Sequence, residues 1–277
     1  MKVFVSVDME GCSGISSTEY VISGKELYEE GKKLMLHDTL AVVQKAIDLG
    51  VDEVIVNDSH ANMTNLLVSQ FPEKARVIIG SPKPLSMLEG IEGCDIAFFV
   101  GYHSPVGSLN AIMDHTYSGA SVYNIKVNDI PASEILINAL VAGYFNVPVA
   151  LVSGDDKTVK HASNLLKNVV TVEVKKALSR TSAICLPLSE TKALLQKGVE
   201  EAINLYRENK DYFKPFKLNP PYKFEIEFVN SQMADAVSIH PDVKRLDGRR
   251  VTFQRNDLLE AYNLFRILLI IARNGIF

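Results

Sequence analysis

The chain is poor in several features that define common protein classes. Its three cysteines, Cys12, Cys94 and Cys185, are scattered and odd in number. That excludes a disulfide framework and suits a reducing cytoplasm. Glycine (16) and proline (11) are few, so a collagen-like or low-complexity chain is excluded, and no heptad is sustained. No run of about 20 apolar residues is present, so no membrane-spanning helix and no membrane partner are expected. The longest candidate, Ile267–Ala272, is short and flanked by Arg266 and Arg273, and it reads as one face of a core helix. The opening apolar stretch is interrupted by Asp8 and Glu10 and is too short for a signal peptide. Basic residues are not in surplus: 29 Lys and Arg stand against 33 Asp and Glu, a net charge of −4, so nucleic acid is not an expected partner.

Several enzyme signatures are missing as well. Gly11-Cys12-Ser13-Gly14 lacks the third glycine of a dinucleotide loop, and Gly154-Asp155-Asp156-Lys157-Thr158 is too short and acidic for a phosphate loop. Neither His-Glu-x-x-His nor Gly-x-Ser-x-Gly occurs. What remains is an ordinary globular composition, 47% hydrophobic and 22% charged over 277 residues, long enough to bury most of its apolar surface.

Strand and helix signals alternate through the first two-thirds. Lys2–Val7, Glu53–Asn57, Arg76–Gly80, Asp95–Tyr102, Val122–Val127 and Val147–Val152 read as strands. Leu36, Leu40, Val43 and Ile47 recur at helical spacing before Gly50, and Pro131 suits the first turn of a helix running to about Ala142. The short apolar runs do not alternate, which indicates strands covered on both faces, as in a parallel sheet wrapped by helices. The tail differs. Leu188–Tyr206 reads as a helix, Phe224–Val229 as a half-exposed alternating strand, and Arg250–Gln254 as another. Asp257-Leu258-Leu259-Glu260 resembles a capped helix start, followed by Ala261, Phe265, Leu268 and Ala272 on one face. The expected fold is α/β, a mostly parallel sheet with flanking helices over residues 1–190. A smaller C-terminal α+β domain is expected over residues 191–277.

Ligands of open parallel sheets bind at the carboxyl ends of the strands. Asp8 and Glu10 follow the first strand, Asn57-Asp58-Ser59-His60 the second, and His103 the fourth. Each alone reads as a cap, a solvated group or a loop histidine; together they point to a site. Carboxylate oxygen with imidazole nitrogen suits zinc or a similar divalent ion. Asp8 is placed to bridge two metals that share a water. His115 and Glu134, the latter near a helix start, are further candidates.

The segments Ser6–Gly11, Val56–His60, Gly101–His103, Met113–His115 and Ala142–Tyr144 resemble the D-aminopeptidase family of dinuclear zinc peptidases, in order and spacing over nearly the whole chain. The resemblance implies two zinc ions per subunit, with Asp8 bridging them. Glu10 and His60 would complete one ion, His103 and Glu134 the other, and His115 would be catalytic. It implies that a zinc-bridged hydroxide releases the N-terminal residue, of D configuration, from short peptides or amino-acid amides. Asp58, two residues before His60, is expected to orient the His60 ring. The resemblance also implies a homodecamer of two stacked pentamers. Two alternatives stand beside it: a metal-free hydrolase using Asp8 and Glu10 as acid and base, and a non-catalytic small-molecule-binding assembly protein.

Overall fold

The computed structural model describes residues 1–274. In chain order the first half holds β1 (Lys2–Val7), α1 (Thr18–Val21), α2 (Tyr28–Asp48), β2 (Glu53–Asp58), β3 (Ala75–Ile78), β4 (Ile96–Val100), β5 (Val122–Val127) and β6 (Ile130–Pro131). It continues with α3 (Glu134–Tyr144), β7 (Val149–Asp155), α4 (Asp156–Leu165), β8 (Val170–Ser179), β9 (Ser182–Cys185) and α5 (Leu188–Glu208). The tail adds β10 (Tyr222–Phe228), α6 (Ser231–Val237), β11 (Lys244–Arg245), β12 (Arg250–Arg255) and α7 (Leu258–Asn274).

A seven-stranded sheet has the order β3-β2-β1-β4-β7-β8-β9, parallel except for β9. Successive side chains of a strand face opposite ways, and here both faces are covered. Val3, Val5 and Val7 of β1, with Ile96, Phe98 and Val100 of β4, join Met35 and Val42 of α2 and Leu195 and Val199 of α5 in one core. Phe4, Ala97 and Phe99 face the other core, with Ile135, Leu136 and Leu140 of α3. This double burial explains the unalternating strand sequences.

The chain moves from β1 outward to β3, then returns to place β4 on the other side of β1. The crevice between the ends of β1 and β4 is therefore the switch point, where open α/β sheets bind ligands.

A second, five-stranded sheet has the order β11-β12-β10-β5-β6. Phe224, Ile226 and Phe228 of β10 are buried, while Glu225 and Glu227 pair with Arg250 and Arg249 on the outer face, as expected of a half-exposed strand. Ala261, Phe265, Leu268 and Ala272 of α7 are all buried, and Asp257 Oδ1 accepts the Glu260 N–H at the helix start (3.0 Å). Among the described residues no helix is long and apolar enough to cross a membrane.

Three local readings differ from the structure. Pro131 lies in β6, not in the first turn of a helix; Asn128 and Asp129, both at positive φ, make a tight turn that pairs β6 with β5, and α3 begins only at Glu134. In α2 the inward face is Leu34, Met35, Asp38, Val42, Val43 and Ala46, while Leu36, Leu40 and Ile47 are half-buried. The third difference concerns the cut near residue 190. Both sheets reach across it: β5, which also carries β6, pairs with the tail strand β10, and α5 packs on the first sheet.

Candidate metal centre

Asp8 directly follows β1, and its N–H donates to Val100 O at the end of β4 (2.8 Å). Glu10 lies two residues further along a loop pressed against the chain leaving β4. The Gly11 N–H donates to Gly101 O (2.8 Å), and a Cβ on Gly11 would lie 1.8 Å from Tyr102 O, so glycine is required there. After β2, the Asp58 carboxylate accepts the N–H groups of Asn65 (2.5 Å) and Leu66 (2.9 Å) and the Asn65 amide (2.9 Å). That folds the loop back and carries His60 toward β1. Asp58 thus holds the loop rather than the His60 ring, contrary to the expected ring contact.

His103 sits three residues past β4. Glu134 opens α3, whose cap is Ser133 accepting the Leu136 N–H (3.0 Å); a helix N-terminus favours an ionised carboxylate. Glu134 Oε1 also accepts the Tyr117 N–H (2.6 Å). His115 comes from the loop between β4 and β5, and its ring stacks on His103 with centroids 3.9 Å apart.

All six side chains meet. His60 Nδ1 lies 3.2 Å from Asp8 Oδ1 and 3.1 Å from Glu10 Oε2. His103 Nε2 lies 3.4 Å from Asp8 Oδ2 and 3.2 Å from Glu134 Oε1. His115 Nε2 stands 3.7 Å from Glu134 Oε1. Asp8, Glu10, His60, His103 and Glu134 are between 2 and 6% exposed, whereas His115 is only partly covered.

The donor set fits a metal. Glu10 Oε2 and His103 Nε2 are buried without a hydrogen-bond partner, although charged groups stand close by; each is aimed into the shared space. The outer nitrogen of each imidazole meets a carbonyl that can only accept, which fixes the tautomers. His60 Nε2 donates to Val21 O (2.8 Å), and His103 Nδ1 to Ser104 O (3.0 Å). Their inner nitrogens are thereby left for an ion, the usual arrangement around ligating histidines. His115 Nδ1 likewise donates to Met113 O (2.8 Å), leaving Nε2 free. These three carbonyl partners carry no side-chain signal, so the sequence reading missed them.

Burial and the Glu10 charge push the Asp8 carboxyl up to about 7, as its place between Glu10 and Glu134 requires. Burial works against the charge of Glu10, but the His60 imidazole beside it wins and holds its carboxyl well below the usual range. Glu134 is likewise lowered, burial being outweighed by His103. His60 is raised well above its usual value and His103 to about 10, since Glu10 and Glu134 outweigh burial. Burial and the His103 charge lower His115. Without a cation, protons on the inner nitrogens of His60 and His103 take its place.

A buried cage of carboxylates and imidazoles at the switch point of a doubly covered sheet defines an α/β metallohydrolase. The D-aminopeptidase family model matches residues 1–267, and the chain belongs to that family. It is 38% identical to a D-aminopeptidase of Bacillus subtilis (strain 168) over 97% of this chain and 96% of the relative. A solved structure, described as the Zn-dependent D-aminopeptidase DppA from Bacillus subtilis, a self-compartmentalizing protease, superposes with a TM-score of 0.94. It is 36% identical and both chains are fully covered.

Proposed function

We propose that this centre holds two zinc ions and that the chain is an aminopeptidase releasing an N-terminal D-residue from short peptides or amino-acid amides. One observation carries the reading: the two oxygens of Asp8 face different imidazoles, Oδ1 toward His60 and Oδ2 toward His103. That is the placement a bridging carboxylate needs. Glu10 and His60 would then complete one ion, and His103 and Glu134 the other. Three ionised carboxylates offset three of the four positive charges of two divalent ions, which suits so buried a site. When bound, the ions polarise the scissile carbonyl and lower the pKa of an attacking water.

His115 does the proton work. Its Nδ1 proton is committed to Met113 O and burial lowers the affinity of the ring for a second proton, so Nε2 is the atom that accepts one. It takes that proton from water as the new C–O bond forms. It then passes the proton to the amine nitrogen as the C–N bond breaks. The Tyr117 N–H holds Glu134 Oε1 in place, and the stack with His103 fixes the plane of the His115 ring.

Two further parts of the proposal concern surroundings. Assembly as a decamer of stacked pentamers is supported by the self-compartmentalizing relative and by exposed Ile267 and Ile270 on α7. A cytoplasmic location is supported by three free cysteines.

Hydrolysis of matched D- and L-alanyl dipeptides, with and without chelator, tests the activity. The expected result is faster turnover of the D-alanyl dipeptide, abolished by chelator. Turnover of the L-dipeptide alone would reject the stereochemistry, and turnover insensitive to chelator would reject the metal.

A further inference from the structure

The loop that carries Glu10 is gripped from beneath by two buried charges of opposite sign. Lys175, on β8, is 1% exposed. Its ammonium donates to Glu10 O (2.6 Å), Cys12 O (2.7 Å) and Ile15 O (2.5 Å). An ammonium carries three protons and no acceptor, so main-chain carbonyls of this single loop take all of them. Asp38, on α2 and fully buried, grips the opposite polarity: its Oδ2 accepts the Ser13 N–H (2.8 Å) and hydroxyl (3.0 Å).

Lys175 reaches the loop through an irregularity in β8. Gly154 of β7 pairs with Glu173, but Asp155 pairs with Lys175, so Val174 has no partner. An extra residue re-aims the side chain that follows it. Without it, Lys175 would share the exposed face of Glu173 and could not reach beneath the loop. Burying an ammonium costs desolvation, and an apolar residue would suit a covered strand better. The charge is spent on one loop, the one bearing Glu10.

We propose that Lys175 is a positioning residue for the ion held by Glu10 and His60: it fixes the main chain at Glu10, so that the carboxylate is set before the ion arrives. This rests on the two-ion reading above. A compact three-proton donor suits three carbonyls as the planar guanidinium of arginine does not. Lys175→Met removes every donor at similar length, and Lys175→Gln keeps an amide with two.

Zinc titration of the chelator-stripped full chain against a chromogenic competitor, with far-ultraviolet circular dichroism as the check on folding, tests it. In a Glu134→Gln background, where the ion at Glu10 and His60 remains, Lys175→Met should weaken that ion at least about 10-fold, the scale of changes just outside a ligand set. Lys175→Gln should fall between. In a His60→Ala background, where the other ion remains, Lys175→Met should change affinity less than about twofold, a split that general destabilisation would not produce. Unchanged affinity in the first background, or equal weakening in both, would overturn the proposal. So would failure of both variants to fold, which would make Lys175 a determinant of the fold. A parent chain that binds fewer than two equivalents contradicts the two-ion reading, while the effect of Lys175→Met on the remaining equivalent still decides this one.

Discussion

Each imidazole of the centre is oriented by a main-chain carbonyl, and this separates the histidines by role. His60 turns Nδ1 inward and His103 turns Nε2 inward, both toward carboxylates, whereas His115 is partly covered with Nε2 free. His115→Ala should therefore keep both metals and lose at least about 100-fold in rate, the usual scale for a proton-transfer residue, while His60→Ala should lose metal. Metal analysis beside initial rates separates the two; full activity in the first or unchanged metal in the second removes that assignment. The titrations give a sign as well. His103 rises from 6.5 to about 10 and Asp8 from 3.8 to about 7. Both groups hold a proton more tightly when folded, so their contribution is present in acid and lost as pH rises through those values. The chelator-stripped chain should lose thermal stability as pH rises from about 4 to about 10, through Asp8 in the lower part of that range and His103 in the upper. Zinc, which displaces the same protons, should bind more tightly as pH rises. Melting curves with and without zinc across this range check both; a metal-free chain that gains stability on raising the pH would contradict them. Asp8, Glu10, His60 and His103 were legible in the sequence because strand ends show which residues leave the sheet together; Glu134, at a helix start, and His115, in a loop, were further candidates whose roles came from the family resemblance. The carbonyls of Val21, Ser104 and Met113 were not legible, since any residue supplies one.

At the scale of elements, the centre depends on how loops are clamped to strand ends. Gly11→Ala would force a Cβ against Tyr102 O and should cost about 1–3 kcal/mol or more, the range for overpacking. Urea unfolding measures it, and an unchanged midpoint would show that the loop yields freely. The strands β1 to β5, β7, β10 and β12 were legible, most of them as apolar runs closed by polar residues. β8, which carries Lys175, was not read as a strand at all, because Glu173, Lys175 and Lys176 interrupt its apolar residues. Pro131 misled for a different reason: it suits a helix start equally well, and the Asn128-Asp129 turn claims it for a hairpin.

For the whole molecule, the strand order decides where chemistry occurs. With β1 lying between β2 and β4, Asp8 and His103 meet at one crevice, and the loop after β2 adds His60. The parallel sheet was foreseeable from double-sided burial. The interleaved tail was not, since pairing β5 with β10 joins segments about a hundred residues apart, and no local pattern records that. The outer face of α7, with exposed Ile267 and Ile270, belongs to this scale too. If the chain assembles as the proposed decamer, about ten times the 30.6 kDa chain mass, Ile270→Asp should disperse it, as read by sedimentation velocity; an unaltered sedimentation coefficient would place the contacts elsewhere. The most direct test of the two-ion centre is the rate of D-alanyl dipeptide hydrolysis as zinc is returned stepwise to the stripped chain. The account predicts that activity climbs until two equivalents are bound; full activity with none, or a plateau at one, would contradict it.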